Sequence, residues 1–254
     1  MANSLHEKRI LLVGAAGGLG RAAARLLRAE GARVVASDVR APADGDGDGE
    51  EFVAADLRDE AEVARLIRSA AERLGGLDGL ANCAGWLADE DGDAAALPLA
   101  AWQETISVNL TAAFLLCKHA LPLLLAAPAS SIVHVSSVAA RAGSAIPQLA
   151  YTASKGGLEA MTRELAVAHA RQGLRANCIA LGPVRTQRNQ HYFDTPAKLA
   201  ARLRHIPMGR LGTPEEAVAL TGFLLSDAAA YITGASLAVD GGITAAYLAS
   251  GEGD

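Results

Sequence analysis

Residues 9–20 read Arg9-Ile10-Leu11-Leu12-Val13-Gly14-Ala15-Ala16-Gly17-Gly18-Leu19-Gly20. The apolar run 9–13 is short, rich in Ile, Leu and Val, and followed at once by glycines, the pattern of a strand buried on both faces. Residues 18–30 then repeat Leu19, Ala23, Leu26 and Leu27 at helical spacing, and Gly31 ends the helix. Residues 33–37 form a second apolar strand that closes on Asp38. Strand, helix and strand within about thirty residues make a βαβ unit, which crosses over right-handed into a parallel sheet.

The alternation continues outward from this unit. Strands are predicted at 52–54, 77–82, 131–136, 175–180 and 236–239, and helices at 60–74, 100–127, 151–171 and 214–226. About seven strands with helices between them predict an α/β, single-domain, Rossmann-like doubly wound parallel sheet, covered by helices on both faces. A chain of 254 residues forms one core of this kind, and no internal repeat or linker interrupts it.

Hydrophobic residues make up 51% and charged residues 20%, an ordinary globular balance. The net charge of −5 argues against a nucleic-acid or anionic-membrane partner, either of which favours a basic face. Cys83, Cys117 and Cys178 are far apart and form no C-x-x-C, so reduced thiols are expected, with no disulfide framework and no metal site. The opening MANSLHEKRI has no apolar signal region, so a cytoplasmic location is expected. The most apolar stretch, 110–127, carries Lys118, His119 and Pro122 and reads as a buried helix, too polar for a membrane span. The run 44–51, DGDGDGEE, places Asp44, Asp46, Asp48 and Gly49 as in the start of a calcium-binding EF-hand loop. Its twelfth position is Ala55 where that loop needs a bidentate Glu, so a solvated surface loop is expected.

Glycines at 14, 18 and 20 permit a tight turn, close backbone approach to a pyrophosphate, and close helix–strand contact. The amides of Gly17, Gly18, Leu19 and Gly20 then open a helix whose dipole favours phosphate. Asp38, eighteen residues after Gly20, can accept from the adenosine ribose hydroxyls and would repel a 2′-phosphate, favouring NAD over NADP. Arg40, two residues on, could answer that phosphate instead. Asp56, followed by Leu57 after the third strand, could contact the adenine or cap the next helix.

Tyr151 and Lys155 stand four residues apart, on one face of a predicted helix and one turn from each other. Bringing a phenol from its ordinary pKa near 10 to about 7 takes roughly 4 kcal/mol. An ammonium held about 4 Å away supplies roughly that much at an effective dielectric near 20. The pair therefore suits general acid/base work.

Together these features resemble the short-chain dehydrogenase/reductase family over nearly the whole chain. The family's T-G-x-x-x-G-x-G is similar to the stretch Val13 to Gly20, with Val13 for Thr. Its N-N-A-G is similar to Asn82-Cys83-Ala84-Gly85, with Cys for the second Asn. Its N-x-I-x-P-G-x-x-x-T is similar to Asn177 through Thr186, with Leu181 for Pro. The resemblance implies a tetrad. Tyr151 passes the proton, and Ser137 orients the substrate oxygen. Lys155 acidifies Tyr151 and binds the nicotinamide ribose, and Asn109 of the Ser-Val-Asn-Leu run holds a relay water. Ser137 lies fourteen residues before Tyr151, one more than usual, which leaves Ser136 as an alternative. The same resemblance assigns Asn82, Ala84, Gly85, Gly182, Val184 and Thr186 to the cofactor, Val184 and Thr186 at its carboxamide. It also implies a homotetramer built on helices 100–127 and 151–171, where Ala112, Ala113, Ala153, Gly156, Gly157 and Ala160 permit close approach or serve internal packing.

The segment 184–206 is expected to cover the substrate. Arg185, Arg188, Arg202 or Arg204 could grip an acidic substrate, although a solvated helix face with surface ion pairing explains them better. Trp86, Leu87, residues 144–149 and Tyr192 could form an apolar wall, and His134 reads as a packed core residue. The expected function is hydride transfer between NAD and a small secondary alcohol, diol or hydroxy acid. Rival readings are an NADPH-type ketoreductase of the acyl-chain kind, a non-catalytic NAD-binding protein, and an isomerase or dehydratase on the same fold.

Overall fold

The computed structural model describes residues 4–41, 51–144 and 146–247. Asp44, Asp46, Asp48 and Gly49 of the expected surface loop lie outside the described residues. Seven parallel strands form one sheet: β1 (Arg9–Val13), β2 (Arg33–Asp38), β3 (Glu51–Ala54), β4 (Gly79–Asn82), β5 (Ser130–Ser137), β6 (Leu174–Leu181) and β7 (Ser236–Val239). Their order is β3-β2-β1-β4-β5-β6-β7. The chain winds one way from β1 to β3 and the other way from β4 to β7, so the reversal falls between β1 and β4. In sheets of this kind the ligand crevice lies there, beyond the carboxyl ends of the strands.

Both faces are covered, as continuous apolar strands require. On one face α1 (Gly18–Ala29) and α7 (Pro214–Leu225) bury Ala23, Leu27, Val218 and Leu224 against Ile10, Leu12 and Ile179. On the other, α2 (Glu60–Leu74) and the long helix after β4 bury Leu66, Ile67, Leu116 and Leu124 against Leu11, Leu80 and Ile132. Asp59 caps α2 by accepting from the Ala61 and Glu62 amides, so the cap expected of Asp56 falls three residues later.

The predicted helix 100–127 runs from Leu99 to Leu124 as α3 (Leu99–Ile106), one π-helical turn (Ser107–Thr111) and α4 (Ala112–Leu124). By length and composition it is the one described helix apolar enough to cross a membrane, contrary to the expectation that Lys118, His119 and Pro122 make it too polar. Its inner face packs into the sheet core through Leu115, Leu116, Cys117 and Ala120, as an internal helix of a globular domain does. α5 (Leu149–His169) begins two residues before the predicted start. The segment after β6 contains a further short helix, α6 (Pro196–Leu203), whose bounds the sequence pattern did not set.

Candidate active site

The turn after β1 is held by contacts that only glycine allows. Gly14 has φ +77°, and a side chain there would meet the backbone of Cys83 and Ala84 at 2.5–2.8 Å. A Cβ at Gly20 would collide with the Gly14 carbonyl, whereas Gly17 faces nothing closer than 3.7 Å. Gly17 is the N-cap of α1 and provides no side-chain cap, so the first-turn amides, Gly18, Leu19 and Gly20, have no capping side chain. An open backbone cradle ending in uncapped helical amides fits a dinucleotide pyrophosphate. Asp38 completes the turn: one carboxylate oxygen accepts from Ala16 N at 2.9 Å and the other from Val39 N at 2.7 Å.

The second side of the crevice follows β4. Asn82 Oδ1 accepts from Ala84 N at 3.1 Å, and its Nδ2 lies 3.2 Å from His134 Nδ1. His134 Nε2 is 3.5 Å from Cys117 Sγ. His134 is fully buried, and burial pushes its pKa down to about 3, so the neutral ring orients Asn82 as a core residue. Asp56 is held by Arg58, whose Nη2 donates at 2.7 Å and lowers the carboxyl pKa. Leu57 is partly buried beside the second core.

Tyr151 and Lys155 do share one face of α5, with Lys155 Nζ 5.6 Å from the Tyr151 ring centre. Lys155 is 3% exposed, donates to the Val135 carbonyl at 2.9 Å, and is pushed down to about 8 by burial. A Cβ on Gly85 would stand 3.2 Å from Lys155 Nζ and 3.9 Å from Asn109 Oδ1, so the three positions converge. Asn109 sits in the π turn, where the extra residue carries the amide inward. Its Nδ2 donates to Trp86 O at 2.7 Å and Ser154 Oγ at 2.9 Å, while its Oδ1 accepts from Trp86 N at 2.7 Å. The two candidate serines differ in exposure. Ser136 is 2% exposed and directs its hydroxyl to the Lys155 carbonyl at 3.5 Å, whereas Ser137 is half-buried at the strand end. The Ser137 hydroxyl accepts from Ala139 N at 3.2 Å.

The far wall comes from β6 onward. Gly182 lets the chain pass Asp240, whose Cα would stand 2.6 Å from a Cβ there. Val184 pairs with Gly212, and the Thr186 side chain lies 3.5 Å from where Gly18 would carry a Cβ, closing the crevice over the phosphate turn. Asn189, which sequence reasoning missed, fixes this corner: its Oδ1 accepts from Thr186 N and its Nδ2 donates to Val184 O. The T-x-x-N spacing of a capping box was the available signal. Arg185 and Arg204 are exposed, Arg202 is half-buried, and α6 buries no residue, which matches the solvated-face reading. The side chain of Arg188 lies outside the described residues. Trp86, Leu149 and Tyr192 are 40–42% exposed and Ile146 is 72% exposed, so these apolar groups are accessible for contact with a ligand.

A doubly wound sheet with this crevice and a buried lysine beside a half-buried tyrosine defines a nucleotide-binding α/β oxidoreductase. The family profile described as enoyl-(acyl carrier protein) reductase matches residues 14–244. The chain is 39% identical to cis-4-hydroxycyclohexanecarboxylate dehydrogenase of Sinomonas cyclohexanicum, covering 96% of this chain and 100% of that protein. It is 37% identical to 2-(S)-hydroxypropyl-CoM dehydrogenase 3 of Xanthobacter autotrophicus, with coverage of 96% and 100%. The ligand-free aldohexose dehydrogenase of Thermoplasma acidophilum superposes with a TM-score of 0.88 at 27% identity, covering 99% of this chain and 100% of that one. The chain belongs to the short-chain dehydrogenase/reductase family. It is an oxidoreductase that acts on CH–OH groups with a nicotinamide cofactor.

Proposed function

We propose that this enzyme oxidises a small secondary alcohol, diol or hydroxy acid, with NAD as the cofactor and Tyr151 as the general acid/base. The observation that carries this reading is the buried Lys155 ammonium one helical turn from Tyr151, facing Gly85 and Asn109. At 5.6 Å from the ring centre a unit charge is still worth about 3 kcal/mol at a dielectric near 20. That energy favours the phenolate when Tyr151 takes the alcohol proton. Ser137, accessible at the end of β5, donates to the substrate oxygen, and Asn109 ties the relay to the Trp86 loop. Bound in the crevice, the nicotinamide supplies the two-electron acceptor at the substrate carbon.

The cofactor residues are Gly14, Gly17, Gly18, Leu19 and Gly20 at the pyrophosphate, with Asp38, Asp56 and Leu57 toward the adenosine. Asn82, Ala84, Gly85, Tyr151, Lys155, Gly182, Val184 and Thr186 serve the nicotinamide end. Asp38 supports NAD because its carboxylate stands at the end of β2 against Ala16, where a 2′-phosphate would be repelled. Exposed Arg40 and the acyl-carrier name of the matching profile favour a second reading, an NADPH-type acyl-chain ketoreductase. The segment 184–206 covers the substrate. Phe114 is 51% and Val167 82% exposed on the outer faces of α4 and α5, which supports homotetramer formation through these helices. The three free thiols suit a reducing, cytoplasmic setting.

The test is an NAD-reduction screen against hydroxy acids, diols, cyclic alcohols and sugars, with Tyr151→Phe as the control. The parent should turn over at least one substrate class about a thousandfold faster than the control. Equal rates would remove Tyr151 from the chemistry.

A further inference from the structure

Tyr151 is the third residue of α5, within the first turn, where helices fray because their leading amides have no intrahelical acceptor. The usual remedy is missing. Gln148, the N-cap, makes no side-chain cap bond, and the first turn contains no acidic residue. Nevertheless all three leading amides are satisfied, and by two residues some sixty positions upstream. Leu149 N donates to Gly92 O at 3.2 Å. Ala150 N donates to Asp91 Oδ1 at 3.0 Å, and Tyr151 N to Asp91 Oδ2 at 2.8 Å. Asp91 Oδ1 also accepts from Gly92 N at 2.9 Å, which fixes the carboxylate orientation.

The loop that carries Asp91 is tied down at its other end by Asn109, whose amide grips both the N–H and the carbonyl of Trp86. Between them, Asp91 N donates to the carbonyl of buried Ala88 at 3.1 Å. Residues 86–92 therefore form a strap from the Asn109 side chain to the backbone of Tyr151. A carboxylate at a helix N-terminus also interacts favourably with the dipole and makes charge-assisted bonds, which neutral caps do not.

We propose that Asp91 is a positioning residue: it caps α5 from a distant loop and so holds the Tyr151 hydroxyl at its working place. The proposal rests on Tyr151 being the proton-transferring group, which Tyr151→Phe tests separately. Removing the cap frees the turn that bears Tyr151, and a displacement of about 1 Å at a reacting group costs on the order of a hundredfold in rate.

The experiment compares the full-length parent with Asp91→Ala and with Asp91→Ala/Gln148→Asp, which supplies a carboxylate at the local N-cap. Two readouts are taken: steady-state kinetics with NAD, and amide hydrogen exchange at Ala150 and Tyr151. Asp91→Ala should lower kcat by about ten- to a hundredfold, leave the NAD dissociation constant unchanged, and speed exchange at both amides about tenfold or more. The double variant should recover exchange protection and most of kcat together. Unaltered kcat and exchange in Asp91→Ala would overturn the proposal. So would a double variant that regains protection without regaining rate. If Asp91→Ala does not fold, Asp91→Asn keeps one acceptor oxygen and is read by the same two measurements. The exchange result is independent of turnover, so a failure of the Tyr151 assignment and a failure of the cap are told apart.

Discussion

Lys155 Nζ donates to the main-chain oxygen of Val135 at 2.9 Å, joining the helix that carries Tyr151 to the strand that ends in Ser137. The ammonium has no carboxylate partner among the described residues, and burial pushes its pKa from 10.5 down to about 8. The free enzyme thus carries an uncompensated cation in its interior, a stability cost maintained at the place where acid/base chemistry needs positive charge.

That cost can be measured. The drop from 10.5 to about 8 corresponds to about 3 kcal/mol at about 1.4 kcal/mol per pH unit. Below pH 8 both folded and unfolded chains hold the proton and the full penalty applies. Between about 8 and 10.5 only the unfolded chain holds it, so stability rises with pH. Lys155→Met should therefore stabilise the free enzyme by about 3 kcal/mol at pH 7 in urea unfolding, while abolishing turnover. The advantage should shrink as pH approaches 10. A variant less stable than the parent at pH 7 would contradict the account of this residue.

His134 produces a trend of the same sign at the acid end. The folded chain keeps the ring neutral down to about 3, whereas an unfolded imidazole takes its proton near 6.5. Between those values the unfolded chain binds more protons, so stability falls as pH is lowered, by up to about 5 kcal/mol in all. Unfolding midpoints recorded from pH 7 to pH 4 should drop steeply for the parent. His134→Gln should show a slope smaller by about one proton, whatever its stability at pH 7.

Asp38 has a structural and an electrostatic task, and two substitutions separate them. Asp38→Asn retains an acceptor for Ala16 N but removes the charge that would oppose a 2′-phosphate. The ratio of kcat/KM for NADP over NAD should rise about tenfold, equivalent to about 1.4 kcal/mol. Asp38→Ala should lose the turn contact as well and weaken both cofactors. An unchanged ratio in Asp38→Asn would remove the basis for NAD preference.

Gly20→Ala sets a methyl group against the Gly14 carbonyl inside the turn. Relief requires the backbone to move, at a cost of about 1–3 kcal/mol in stability. NADH titration by fluorescence should show binding weakened about a hundredfold, because the same turn presents the helix amides to the pyrophosphate. Gly17→Ala, which faces nothing nearer than 3.7 Å, should keep its fold and thereby separate packing from ligand contact.

What the chain discloses unaided is what lies within one element or across one turn. The apolar run at 9–13, the glycines at 14–20 and the closing Asp38 specify a βαβ crossover because hydrophobic period and turn chemistry are local properties. The Tyr151–Lys155 spacing specifies a shared face because 3.6 residues per turn is a constant of the helix. What only the folded chain decided involves groups far apart in sequence or the environment that surrounds them. The π turn that carries Asn109 inward, the depressed Lys155, and the different exposure of Ser136 and Ser137 depend on burial and on where a strand ends. The capping of α5 by Asp91 joins positions sixty residues apart, and no periodicity encodes such a contact. Local pattern determines which elements form, but hydrogen-bond partners and dielectric surroundings exist only once those elements have packed.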